Sequence, residues 1–437
     1  MSDPTLWSTW AVPALLSLLL LRWVVQLFLA RLNESATLAS ADRVPEAYSE
    51  TMDLPTWSNS VRYTLAKSQF SQIENAFEAC LLTTLLLAGV LPSIYESITR
   101  AFGSSNWLIA LLLFAVPLAL SALRLPFDWA AQFRLEERFG FNTTSPGTWW
   151  LDRLKFLIVS LLLAYPLLWI VISLPALCGP AWWLWAWITL VACQLLMTVA
   201  APALILPLFN RFTPLPQGSL RHRLNRLAQR SNFQHRGIFV MDGSRRSRHS
   251  NAFFAGLGRF RRIVLFDTLL AQLDEPELEA VLAHEIGHYR LGHLPRIFAA
   301  SAASSLGFCF VLGQWADQAW LLRALGFTDV GVGPLLLLAL TFGGSITFWF
   351  VPAVNAWSRR FEYQADRFAA QCVGSTRPLV GALRKLTRHN LGNLTPHPVY
   401  SWFYYSHPTL WERERALETF NGPPLSVGEK PGRATSK

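Results

Sequence analysis

Charge is scarce in this chain of 437 residues. Only 15% of them are charged, against 52% hydrophobic. That is too little charge to coat a soluble surface of this size, and it suits a chain solvated largely by lipid. Cysteine is scarce too. Cys80, Cys178, Cys193, Cys309 and Cys372 lie mostly in or beside apolar runs and form no C-x-x-C pair, which argues against a disulfide framework and a thiolate metal site and leaves small buried hydrophobes. Lysine is nearly missing, with five Lys against 33 Arg. A net charge of +10 raises nucleic acid, anionic lipid or topology signals as explanations. No zinc-finger, helix-turn-helix or RNA-binding signature is present, so nucleic acid is set aside as a partner. No internal repeat stands out.

Long apolar runs, by contrast, are plentiful. Seven are long enough to cross a hydrocarbon layer of about 30 Å, which takes roughly 20 helical residues. They are 10–30, 75–95, 106–125, 154–177, 181–206, 294–315 and 333–354. The first has no basic leader and no clean A-x-A site after it, and it holds Arg22 in its apolar core. It reads as a retained span, not a cleaved signal.

Basic residues gather in alternate loops. Segment 207–292 carries 13 Arg, the chain from Asn355 onward carries 12 Lys plus Arg, and loops 31–74 and 126–153 hold Arg31, Arg43, Arg62, Lys67, Arg134, Arg138 and Arg153, whereas the alternate loops hold only Arg100 and Arg323. The positive-inside rule then places the N-terminus outside and both basic segments in the cytoplasm. The expected fold is mainly α, a seven-span integral membrane bundle in the lipid bilayer. Residues 1–206 form a five-span domain, residues 207–420 a second domain that includes spans six and seven, and residues 421–437, rich in Pro, Gly and Ser, a disordered tail.

The long insertion after span five predicts a helix over 220–230, a strand over 237–241 and a turn at Asp242-Gly243. A hairpin is expected from 251–256 and 262–266 around a Gly-containing turn. A further helix opens at Asp274-Glu275-Pro276-Glu277, where Asp274 can cap and Glu277 stands three residues on.

That helix carries His284-Glu285-Ile286-Gly287-His288. Two His four apart share one helical face and can converge on a single Zn²⁺, while Glu285 projects about 100° away and can hold the attacking water. A catalytic zinc takes three protein ligands. The metzincin spacing would put Gly at 291 and His at 294, but both positions are Leu, with Gly292 and His293 one residue early. The alternative third ligand is Glu362, with Asp366 four residues on along the same helical face. Two membrane crossings separate His288 from Glu362, so both emerge on one side. Ser406-His407-Pro408 follows. Pro408 suits the first turn of a helix, which leaves His407 at its mouth, able to donate to an oxyanion. Arg413 can pair with a carboxylate.

Taken with His249-Ser250-Asn251-Ala252-Phe253, Arg262 to Leu270, Glu137 to Asn142, Ser358 to Asp366 and Ser406 to Arg413, these residues resemble the type I CAAX prenyl endopeptidases over nearly the whole chain. Those are membrane zinc proteases of the gluzincin type. The resemblance implies seven helices around a large intramembrane chamber, with the zinc site facing into it. It also implies His284, His288 and Glu362 as ligands, Glu285 as general base, Asp366 orienting a ligand His, and His407 with Arg413 as the transition-state pair. Extended substrate would add to an edge strand around Asn251 and Ala252. Expected partners are peptide or protein substrates, prenylated or otherwise membrane-associated, cut near the C-terminus. The Arg-for-Lys bias points to a GC-rich genome, hence to a bacterial inner membrane; a eukaryotic chain would sit in an ER-type membrane. Two rivals stand: a quality-control membrane zinc protease, which has fewer spans, and a transporter or scaffold with a structural metal, which needs no Glu285.

Overall fold

The computed structural model describes residues 4–256 and 261–420, and the chain is overwhelmingly helical. The N-terminal half runs through α1 (Pro4–Ala39), α2 (Leu54–Leu87), α3 (Val90–Phe102), α4 (Asn106–Ala122), α5 (Leu125–Ala130), α6 (Pro146–Cys178), α7 (Trp182–Ala200) and α8 (Leu206–Phe209). Next come β1 (Phe212–Pro214), α9 (Ser219–Arg230), β2 (Ile238–Met241), β3 (Ala252–Ala255), β4 (Arg262–Phe266), α10 (Asp267–Gln272) and α11 (Glu275–Arg290). The remainder is α12 (His293–Trp315), α13 (Ala319–Ala324), α14 (Val332–Thr347), α15 (Val351–Val373), α16 (Arg377–His389), α17 (Pro398–Tyr404) and α18 (Leu410–Glu418).

Among the described residues, four helical runs are long and apolar enough to cross a membrane: Thr9–Ala39, Pro146–Phe209, His293–Trp315 and Val332–Val373. Two bent pairs raise the number to as many as six if each pair is one span. α2 meets α3 at 55°, and α4 meets the run from Leu125 to Glu136 at 44°. The fourth and fifth expected spans therefore share one 64-residue run. Only a single 3₁₀ turn, Gly179–Ala181, divides them, because no polar loop interrupts the apolar sequence there, and α6 packs against α7 across it. Apolar side chains such as Leu162, Leu177 and Leu196 are more than 60% exposed along this run, as lipid-facing positions are.

Two large cores form beside smaller clusters. One joins helices of the apolar runs through Leu91, Leu113, Leu322, Phe327 and Leu337. The other gathers Leu224, Leu227, Ile263, Leu265, Leu282, Ile286 and Ala369 around the sheet and α11. Polar contacts tie the halves: Arg246 grips Asp152 through Nε and Nη2 at 2.8 and 3.0 Å, and Glu136 takes Tyr63 at 2.8 Å and His249 at 3.3 Å. A cavity of about 900 Å³ lies among Tyr95, Asn106, Trp182, Asp317 and Asp329, and no residue of the His-Glu cluster described below lines it.

The sheet is larger than a hairpin. Its order is β1-β2-β4-β3, with β3 antiparallel to β4, as the sequence predicts, and β2 parallel to β4. The hairpin turn lies outside the described residues, as does the expected tail from 421. β3 forms an edge of the sheet. The helix expected at Asp274 begins there, closed by a capping box in which the Glu277 N–H donates to Asp274 at 3.0 Å and the Asp274 N–H donates to Glu277 at 3.0 Å. The expectation for Pro408 needs correction. The last helix begins at Leu410, because Thr409 and Glu412 form a second capping box. Pro408 thus precedes the cap and lies outside the helix.

Candidate metal centre

α11 buries Leu282, Ala283 and Ile286 in the sheet-side core, and helical periodicity turns His284 and His288 to the opposite face. α15 packs lengthwise on α11. The close approach depends on Gly287: a Cβ there would sit 3.1 Å from the Ala365 Cα and 3.3 Å from the Ala365 carbonyl oxygen. With no side chain at 287, the helices approach closely enough for Glu362, one turn before Ala365, to reach the two imidazoles.

His284 Nε2 lies 3.2 Å from His288 Nε2. The Glu362 carboxylate lies 3.4 Å from His284 Nε2 and 3.3 Å from His288 Nε2. Among the described residues these three form the one group of ligand-type side chains whose donor atoms converge. Ligands bound at about 2.0–2.1 Å to a tetrahedral ion stand about 3.3–3.4 Å from one another, the spacing at which Glu362 Oε2 meets His284 Nε2 and Glu362 Oε1 meets His288 Nε2. Glu362 Oε2 is buried and has no hydrogen-bond donor, which is unusual for a carboxylate oxygen unless a cation completes its coordination. The donor set of two imidazoles and one carboxylate is that of a catalytic metal site, not a closed structural one.

The surroundings favour positive charge between the rings. Burial works against a charged His284, but the adjacent carboxylates of Asp366 and Glu362 outweigh it and raise the imidazole to about 9. Asp366 Oδ1 stands 2.8 Å from His284 Nδ1, which turns Nε2 toward the centre. Arg413 in turn holds Asp366 with both Nε, at 2.8 Å, and Nη2, at 2.5 Å. Glu285 follows His284 on the helix. Burial pushes its carboxyl up, against the pull of His284 and His288. The His407 Nε2 comes within 3.5 Å of Glu362, with 63% of its side chain exposed. The sequence-predicted residues His284, His288, Glu362, Asp366, His407 and Arg413 are therefore in one place. Asn251 and Ala252 are not among those contacts; Ala252 pairs with Leu265 in the edge strand, and that strand packs beside α11.

Residues 35–211 match the CAAX prenyl protease N-terminal family of five membrane helices, and residues 214–421 match peptidase family M48. The chain is 35% identical over 373 residues to a CAAX prenyl protease 1 homolog of Oryza sativa subsp. japonica, covering 82% of this chain and 85% of the relative. The chain belongs to the M48 peptidases, among the CAAX prenyl proteases. The human CAAX prenyl protease 1 homolog is 31% identical over 459 residues, covering 92% of this chain and 95% of that one. CAAX prenyl protease 1 of Saccharomyces cerevisiae is 31% identical over 408 residues, covering 87% and 89%. The crystal structure of S. mikatae Ste24p superposes with a TM-score of 0.87 at 26% identity, over 93% of this chain and 99% of that one. This M48 peptidase is a multi-pass membrane metalloendopeptidase, and it acts on peptide or protein substrates.

Several residues that shape the M48 site escape a reading of the sequence. α15 supplies more than Glu362. Its Asn355 Nδ2 donates to the Phe403 carbonyl at 2.8 Å, and Arg359 Nη1 donates to the carbonyls of Tyr405 at 2.6 Å and Trp402 at 3.1 Å. These bonds pin the end of α17 just before His407. Their only trace in the sequence is position: 355, 359 and 362 follow one another at helical spacing on a single face.

Proposed function

We propose that the chain is a zinc endopeptidase that cuts prenylated or other membrane-associated peptides near the C-terminus. The observation that carries this reading is the convergence of His284, His288 and Glu362, with Glu285 next to His284 on the same helix. His284, His288 and Glu362 hold the metal. Bound zinc supplies Lewis acidity toward the scissile carbonyl and the attacking water. Glu285, raised by burial, takes the proton from that water and returns it to the leaving amine nitrogen. His407 donates a hydrogen bond from Nε2 to the carbonyl oxygen as it gains charge. Arg413 acts mainly through Asp366, fixing the tautomer of His284 and adding positive charge behind it. The free edge of β3, at Asn251 and Ala252, holds the extended substrate main chain.

The same reading assigns seven crossings, counting Pro146–Phe209 as two antiparallel spans turned at Gly179, which the packing of α6 against α7 supports. Residues 1–206 then form the membrane domain and residues 207–420 the peptidase domain. The metal centre is on the cytoplasmic side, with two crossings between His288 and Glu362, and the Arg-rich composition favours a bacterial inner membrane.

The test is cleavage of matched peptides by the purified full-length protein, one farnesylated at a cysteine four residues from its C-terminus and one unmodified. Release of the last three residues, faster from the farnesylated peptide, is the expected result. Equal rates would remove the lipid from the assignment, and no cleavage of either would remove the endopeptidase reading near the C-terminus.

A further inference from the structure

We propose that His293 and Gln364 form a positioning pair that fixes the orientation and tautomer of His288, the second metal ligand. The inference rests on the reading of His288 as a ligand. In the sequence His293 stands out only as a near miss of the metzincin spacing, and Gln364 falls between Glu362 and Asp366 without a role.

The pair forms because α11 ends where it does. Residues five apart on a continuous helix point about 140° away from each other, so His288 and His293 could not meet on one. Gly292 breaks the helix at φ +70°, a conformation open to glycine at little cost, and α12 starts again at His293. The chain folds back far enough for His293 Nδ1 to come within 3.0 Å of His288 Nδ1. On its other side His293 Nε2 lies 2.9 Å from Gln364 Oε1. Its ring stacks on Phe361 at 4.2 Å and 13°, and the residue is completely buried.

The direction of each bond follows from chemistry. His288 presents Nε2 to the centre, so that nitrogen must carry a lone pair, and the proton of the neutral ring resides on Nδ1. His288 Nδ1–H therefore donates to His293 Nδ1. His293 then carries its own proton on Nε2 and donates it to the carboxamide oxygen of Gln364, which can only accept. Both bonds are satisfied in one tautomeric state. His293 cannot itself be a ligand, since Nδ1 faces the back of His288 and Nε2 faces Gln364. Asp366 performs the corresponding task for His284, so each ligand imidazole has its own partner on α15: Asp366 directly for one, Gln364 through His293 for the other. Buried partners of this kind govern metal affinity.

Zinc affinity of the full-length protein in detergent, measured by competition with graded chelators, tests the pair, with thermal stability of the metal-free form read alongside. His293→Phe keeps the stack on Phe361 and removes the acceptor. It should weaken zinc binding about 10- to 100-fold, the usual effect of losing such a partner, with the metal-free melting temperature little changed. His293→Asn, whose Oδ1 stands close to the site of the lost Nδ1, should recover most of the affinity. Should His293→Phe fail to fold, Gln364→Leu serves instead, and it should weaken binding severalfold by freeing the His293 tautomer. Unchanged affinity in His293→Phe, or in Gln364→Leu where that variant decides, would overturn the proposal, as would failure of His293→Asn to bind better than His293→Phe. The reading beneath it fails differently: the unaltered protein would then bind no zinc, or His288→Ala would bind it as well as the unaltered protein.

Discussion

Glu285 and His407 have different proposed roles and separate at the level of single substitutions. Glu285→Gln keeps the shape of the side chain and loses the base. Metal should remain bound while turnover falls by about a hundredfold or more, the usual scale of general-base loss; normal cleavage by this variant would rule out the proposed chemistry. His407→Ala should keep both metal and substrate affinity. Its loss should appear in the chemical step at about 2–4 kcal/mol, as for other oxyanion donors. If turnover per folded molecule is unchanged and only the melting temperature drops, His407 is merely a loop residue. Arg413→Ala should behave otherwise. It strands the buried Asp366 carboxylate without its bidentate partner, a change that destabilises by about 3–5 kcal/mol in comparable buried pairs. Thermal unfolding of the two variants side by side separates a donor to the reaction from a support beneath it. At this scale the sequence is highly legible, since His284, His288, Glu362 and Asp366 follow helical periodicity. His293 and Gln364 are not, because their contact depends on the break at Gly292, and periodicity predicts that His288 and His293 point apart.

Helices meet through their smallest residues, and α11 against α15 is the case that matters here. Gly287 lies inside the H-E-x-x-H run, where the spacing of the His says nothing about it, yet its missing Cβ sets the distance between the ligand-bearing helices. Gly287→Val should drive α15 away from α11, lowering stability by about 1–3 kcal/mol as overpacking does and weakening metal retention because Glu362 moves with its helix. A variant with unaltered stability and metal affinity would show that the close approach is not needed. Caps are the readable part of elements, though proline alone misleads. Asp274 and Glu277 start α11 where the sequence predicts, whereas Pro408 gives way to the stronger reciprocal bonds of Thr409 and Glu412. The three-residue β1 and the parallel pairing of β2 with β4 leave no pattern to read, since register across a crossover is set by tertiary packing and not by local preference.

Across the whole molecule, the expected apolar runs fall on the helices long and apolar enough to cross a membrane, and the shape of those helices is less legible. The bends between α2 and α3 and between α4 and α5 interrupt the apolar character too little to be seen in hydropathy. The proposed topology makes a direct prediction: single cysteines introduced near Arg100 and near Arg245 should react with impermeant reagents from opposite sides of the membrane. Labelling of both from one side would undo the assignment of the metal centre to the cytoplasmic face.

The account as a whole turns on one metal held by three side chains from two helices. Elemental analysis of the purified protein and of His288→Ala, prepared identically, tests it most directly. The expected result is one zinc per chain in the unaltered protein and little in the variant, with Glu285→Gln retaining the full amount. Full zinc in His288→Ala, or none in the unaltered protein, would contradict the site proposed here.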